Sequence, residues 1–366
     1  MVGYLVFLAI STGIAALFSL GLNLQWGYTG LINFGHVAFM TVGAYTTVLL
    51  TLKGVPLIIA VPLGAGLAAL LGLLIGLSTL RLREDYLAIV TIGFSEVIGL
   101  IVRNEEWLTR GTLGVQGFPL PLATWSPNLL MRLMMIALLT LIAGLTFWRM
   151  WQWFSKQLQQ GKREGGFPVG SLILGIASLL LGLAVYVAGV MALYDYTYKA
   201  GLMVLLLLVL TLVFWQLERL ARSPWGRVLK AIREDEEVAK ALGKNVFWYK
   251  LQSLMLGGAI AGIAGSFYAW QQTSVYSDDF ISQTTFDAWT IVVLGGAGNN
   301  VGTVLGAIIF WAYYTVTRFV LPALLPFDDA RLGAFRVMVI GLLLMVLMMA
   351  RPQGILGKKE ELTLGR

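Results

Sequence analysis

The chain has 366 residues, 58% hydrophobic and only 12% charged, with a net charge of +7. A soluble domain carries about a quarter charged residues, so this composition excludes a soluble globular protein. The absence of cysteine and the single histidine exclude a disulfide framework, thiolate chemistry and a multi-histidine metal cluster.

Apolar runs near 20 residues recur along the chain, which is the length that crosses a hydrocarbon core of about 30 Å at 1.5 Å per residue. The expectation is an all-α, polytopic membrane protein with about eleven spans. They lie at 4–24, 31–52, 56–77, 86–102, 129–148, 169–190, 200–217, 254–270, 286–297, 301–321 and 332–350. The N-terminal run lacks a basic leader and a small-residue cleavage site, so it is expected to be a retained first span. The run at 286–297 is short for a crossing. It is kept as a span because otherwise the last two spans would invert and place the basic tail outside. The segment 105–128, with its Gly and Pro, reads as an external loop, and the basic stretch 149–166, without apolar periodicity, as a cytoplasmic one.

Orientation follows from Lys and Arg in alternate loops. One side collects Arg81, Arg83, Arg149, Lys156, Lys162, Arg163, the eight from Arg219 to Lys250, and Arg351, Lys358, Lys359 and Arg366. That side is expected to be cytoplasmic, with the N-terminus outside and the tail 351–366 inside. The same rule accounts for the positive charge without a nucleic-acid partner. Trp107, Trp125, Trp148, Trp151 and Trp215 fall near predicted span ends, as in an interfacial aromatic belt.

Between the spans at 200–217 and 254–270 lies the longest charged stretch, within 218–252. Inside it, 232–243 reads as one short helix lying near the inner membrane surface. Ile232, Val238, Ala239 and Leu242 would share a face. Glu234, Asp235, Glu236 and Glu237 would occupy a first turn favoured by the helix dipole, with Gly243 as the left-handed residue at the C-terminus. A polar helix tied between two spans suits docking of a cytoplasmic partner. An ordinary interfacial helix is the plainer alternative.

Glu96 lies about ten residues into its span, where a carboxylate should face protein or a water-filled path. That makes it a candidate for the translocation path or a gate, against a structural hydrogen-bonding role. Asn33 and His36 are candidates of the same kind, His36 more readily a helix–helix hydrogen-bond partner. Gly295, Gly296 and Gly298 interrupt two apolar segments, as residues lining a transporter site often do. The plainer alternative is a tight turn followed by a packing face on which Gly298, Gly302 and Gly306 recur every four residues.

The run SPWGRVLKAIREDEEVAKALGKNVFWYKLQ, with Glu237, Ala239 and Gly243 in an E-x-A-x3-G pattern, resembles the coupling loop of bacterial ABC importer permeases. GYTGLINFGHVAFMTVGAY at 27–45, LRLREDYLAIVTIGFSEVI at 80–98, VVLGGAGNNVGTVLGAIIF at 292–310 and RPQGILG at 351–357 resemble the LivM-type permeases of branched-chain amino-acid importers. The resemblance covers roughly 1–115 and 195–357. It implies a single permease domain over 1–366 working with a second related permease, two cytoplasmic ATP-binding subunits, an external solute-binding protein and membrane lipid. In it, 232–243 would contact the ATPase. One departure is the segment 128–190, which adds a two-helix hairpin and, being even, preserves the topology after it.

No G-x-x-x-x-G-K-[ST] phosphate loop occurs. ATP and Mg are therefore expected on a partner, with no cofactor on this chain. Neutral amino acids are the expected cargo, with urea or short-chain amides as the alternative. An ion-coupled secondary transporter would need more intramembrane acids than Glu96 and His36 supply. An intramembrane enzyme would need a paired acid–base set that is absent from the sequence.

Overall fold

The computed structural model describes residues 2–81, 84–123, 125–163, 169–324, 328–350 and 353–357. Sequence expectations on the remainder, including Arg83, Arg351 and most of the tail, lie outside the described residues. The helices are α1 (Val2–Leu22), α2 (Val37–Leu52), α3 (Leu57–Thr79), α4 (Glu84–Asn104), the single turn α5 (Glu106–Thr109), α6 (Leu129–Arg163) and α7 (Val169–Tyr194). They continue with α8 (Tyr198–Arg222), α9 (Pro224–Glu234), α10 (Glu236–Ala241), α11 (Val246–Gln272), α12 (Ser282–Gly295), α13 (Asn300–Leu324) and α14 (Asp329–Ala350). Seven helices are long and apolar enough to cross a membrane, by length and composition, among the described residues. Each expected span overlaps a helix, in whole or in part, and the chain is a multi-pass helical membrane protein.

The chain divides into two compact units. The larger comprises Ser11–Leu120 and Leu212–Arg366. At its centre α11 packs against α2 and α3 with almost no side chain between the backbones. A Cβ built on Gly43 would overlap the backbone of Gly262, and one on Gly265 would overlap the Met40 carbonyl. In lipid there is little hydrophobic drive between helices, so such backbone-to-backbone approach supplies the packing. Thr47 and Ser266 share a hydrogen bond of 2.7 Å across the same seam. A two-residue antiparallel ribbon, β1 (Val115–Gln116) with β2 (Ser274–Val275), sits in the segments after α5 and α11.

The smaller unit comprises Met1–Ile10 and Pro121–Thr211. Here α6 and α7 lie antiparallel. Arg132 Nη1 donates to the Tyr194 carbonyl at 2.8 Å, and Thr140 and Tyr186 share a bond of 3.0 Å. The guanidinium of Arg132 also stands 5.9 Å over the Tyr196 ring.

Three expectations need correction. The span at 31–52 is helical only from Val37, because Asn33 and Gly35 hold 31–36 in a non-helical, hydrogen-bonded run. The stretch 149–166 is not a loop through its length: α6 continues to Arg163 over 35 residues. Its Lys, Arg, Gln and Met are good helix formers and need no apolar face to propagate a helix already nucleated. Gly298 is not on a helix; it precedes α13 at φ +76°. Gly302 and Gly306 do form a smooth face, packed on Gly295 and Ile291 of α12.

Candidate functional site

The charged stretch between α8 and α11 is two helices, not one. Ser223 caps α9, its side chain accepting from the Gly226 N–H, with Pro224 at the first helical position. Asp235 then swings to φ −155°, ψ 108°, and its Oδ1 accepts from the N–H groups of Glu237 (2.9 Å) and Val238 (3.0 Å). An aspartate that satisfies two orphan donors makes a strong N-cap, so it ends α9 and starts α10. Glu234 is therefore the last residue of α9, and only Glu236 and Glu237 stand in the first turn of α10.

The expected common face also splits. Ile232 and Ala239 are buried and pack with Val246 in a small core under Val228 and Tyr249. Val238 and Leu242 are 55% and 71% exposed. Gly243 ends the element at φ +73°, where no Cβ would touch a neighbour. The element thus has a buried root and an apolar outer surface rimmed by Glu237 and Lys240, which pair at 2.9 Å. Burial works to raise the Glu236 carboxyl, but hydrogen bonds and charge from Lys250 and Lys240 outweigh it and hold it below its ordinary value.

The remaining candidates fall at three levels along α12. At its start, Ser282 Oγ donates to Glu96 Oε1 of α4 at 2.7 Å, and Glu96 is exposed. At its middle, Trp289 Nε1 donates to the Asn33 carbonyl at 3.0 Å. Phe34 lies 5.5 Å from Phe286 and 5.1 Å from Trp289, centroid to centroid. Asn33 is buried and holds Gln25 Oε1 (2.8 Å) and the Gly35 N–H (2.9 Å). His36 is fully buried between the Phe18 and Phe39 rings, its Nε2 3.2 Å from the Phe18 carbonyl, which ties α2 to α1.

At its end, Gly295 and Gly296 close α12, with Gly296 at φ +111°, a conformation that favours glycine. The turn carrying Gly298 is held from α1. There the helix ends in a π-helical turn, Asn23–Tyr28. Asn23 Oδ1 accepts from the Gly298 N–H at 2.9 Å, and its Nδ2 donates to Asn300 Oδ1 at 3.1 Å. Asn300 Nδ2 in turn donates to Glu218 Oε1 of α8 at 3.2 Å. The structure therefore brings the glycine turn and the charged loop to one end of α12, and leaves Glu96 at the other.

A family model for the branched-chain amino acid transport system permease component matches residues 4–348. The chain belongs to that family. The high-affinity branched-chain amino acid permease protein LivM of Salmonella typhimurium is 31% identical over 351 residues, 95% of this chain and 69% of the relative. The probable LivM of Methanocaldococcus jannaschii is 24% identical across 96% of this chain and 92% of the relative. The nucleoside ABC transporter permease protein NupC of Lactococcus lactis is 26% identical over 105 residues, 29% of this chain and 32% of the relative. No solved structure matches.

Within the permease, sequence reading missed Asn23, Gln25, Glu218, Ser282 and Asn300. Asn23 and Gln25 carried a usable signal, two amides inside an otherwise apolar first span. The others sit at helix ends, where a polar residue is ordinary and the partner is far away in sequence.

Proposed function

We propose that the chain is the permease subunit of an ABC importer that moves neutral branched-chain amino acids into the cell. The observation that carries this is α10, a capped helix with exposed Val238 and Leu242, tied between two helices of membrane-spanning length within a branched-chain amino acid permease family. Its apolar crown and charged rim suit a partner that docks from the aqueous side. In this reading α10 with Ile232, Asp235 and Gly243 meets an ATP-binding subunit, which supplies ATP and Mg chemistry. In this reading α9 and α10 lie in the cytoplasm and the N-terminus outside, which the Lys and Arg of the loops on that side support. A second related permease, an external solute-binding protein and lipid complete the assembly.

The Glu96–Ser282 pair belongs to the translocation path in this reading. A carboxylate exposed on a spanning helix is costly against lipid. Covering by the second permease, with water and substrate between, removes that cost. The aromatic shelf of Phe34, Phe286 and Trp289 lies farther along α12 and offers an apolar surface to an aliphatic side chain.

The test is uptake by proteoliposomes holding the whole importer. Leucine accumulation that requires ATP and survives collapse of ion gradients supports the proposal. Accumulation driven by a gradient without ATP would make the chain a secondary transporter.

A further inference from the structure

Arg233, in the last turn of α9, touches three parts of the chain that are far apart in sequence. Its Nη1 donates to the Gly27 carbonyl in the π-helical turn at the end of α1. Its stem lies along Gly30, where a Cβ would come within 3.4 Å of Arg233 Cγ. A Cβ on Gly298, in the α12–α13 turn, would stand 2.7 Å from the same Nη1 and 2.8 Å from the Gly27 oxygen. One guanidinium therefore fills the junction where α9, the π-turn and the α12–α13 turn meet. Three residues back along α9, Lys230 lies 5.6 Å over the Tyr28 ring and adds a second hold on the same turn.

Behind the junction the Asn23–Gly298, Asn23–Asn300 and Asn300–Glu218 hydrogen bonds lock the π-turn, the start of α13 and the end of α8 into one block. A guanidinium bonded to a carbonyl is a charge-assisted contact, shorter and stronger than a neutral one. Single π-turns recur at functional sites. A displacement of α9 thus meets a stiff contact at the π-turn, and the hydrogen bonds behind it pass the displacement on to the starts and ends of the helices they join.

We infer that Arg233 is the positioning residue that carries movement of α9 and α10 into the π-turn of α1 and the α12–α13 turn. The inference rests on the reading of α10 as the ATPase contact. Arg233 itself faces inward to the permease, away from that contact, and its role is to make the ends of α1 and α13 follow the docking element. Lysine at this position would keep the charge and lose the planar guanidinium that donates to the Gly27 carbonyl beside Gly298.

The test uses the complete importer in liposomes, with Arg233→Ala, Arg233→Lys and, as a control on the exposed side of α9, Arg227→Ala. Three quantities are read: ATPase subunits retained, ATP hydrolysed, and leucine taken up per ATP. The expected result for Arg233→Ala is retained subunits, hydrolysis within about twofold of wild type, and uptake per ATP reduced by roughly 5- to 150-fold, the usual span of a coupling term. Arg233→Lys should fall between, and Arg227→Ala should match wild type. Because the chain has no cysteine, spin labels introduced by Ala231→Cys and Val301→Cys report directly on the junction. Their separation should stay constant between nucleotide-free and ATP-bound states in the wild type, and change on ATP binding in Arg233→Ala.

An unchanged uptake-to-ATP ratio, or a label separation that stays fixed in Arg233→Ala, would overturn the inference. So would loss of the ATPase subunits in that variant, since Arg233 would then act in docking. Failure of the wild-type chain to retain ATPase subunits is a different result, and would remove the proposed function instead.

Discussion

The Lys250 ammonium, nine-tenths buried on α11, bonds the Glu236 carboxylate at the start of α10. Glu236 also holds Lys240 at 3.0 Å. The two ends of this contact are not equivalent. Truncating Lys250 leaves Glu236 with Lys240, whereas truncating Glu236 strands a buried ammonium. The cost of an unsatisfied buried charge exceeds that of a lost hydrogen bond. Glu236→Ala should therefore destabilise the α10–α11 contact more than Lys250→Met, by about 1–3 kcal/mol. Protease sensitivity of 218–252 in purified protein checks the order; equal sensitivity would show that the pair is inert.

The pH dependence of that contact has a defined sign. Glu236 has its pKa lowered in the fold, so the stability it adds is fully present above its ordinary value of 4.5 and is lost as pH falls through the lowered one. The α10–α11 contact should be unchanged between about pH 6 and pH 8 and loosen only below the carboxylate range. Protease sensitivity of the same segment against pH measures this, and Glu236→Gln should flatten the acid limb.

On the outer surface of α10, Val238 and Leu242 are exposed and contribute little to the fold. Leu242→Ala should leave thermal stability within about 0.5 kcal/mol while weakening ATPase binding by roughly tenfold, as a truncated interface anchor does. Gly243→Val should differ. With φ +73° and open space around its Cβ, its penalty is backbone strain of about 1–2 kcal/mol, together with a redirected chain into Asn245 and α11. Uptake should fall while the chain stays in the membrane.

At the α2–α11 seam the backbones already touch. Gly43→Val should force them apart and cost about 1–3 kcal/mol through overpacking, read as a lower melting temperature in detergent. Gly66, where a Cβ meets nothing within 4 Å, should accept alanine without a shift and serves as the control.

At the start of α12, Glu96→Gln keeps a hydrogen-bond partner for Ser282 and removes the charge. If Glu96 lies on the path, uptake by the assembled importer should fall about tenfold, equivalent to about 1.4 kcal/mol, with the partners still bound. Unchanged KM and rate would leave Glu96 as a structural partner of Ser282.

The helices that carry the fold were legible because lipid demands long apolar runs, and such runs are visible without tertiary contacts. The short helix α12 was partly legible: its polar opening, Ser282 to Thr285, hid the start, while Gly295 and Gly296 marked the end. The split at Asp235 was not legible, because an acidic run ahead of an apolar residue fits either a first turn or a cap, and only the backbone angle decides. Arg233 was passed over for a similar reason. In a basic loop a single arginine looks like any other, and its partners, Gly27 and Gly298, lie 206 and 65 positions away with no side chain to betray them.

The most direct measurement is labelled uptake of leucine, alanine and urea by cells lacking this chain, with and without its restoration from a plasmid. The expected result is loss of leucine uptake that the wild-type chain restores and the Arg233→Ala chain does not, with urea uptake unaffected throughout. Undiminished leucine uptake in cells lacking the chain, or loss confined to urea, would contradict its assignment as a branched-chain amino acid permease.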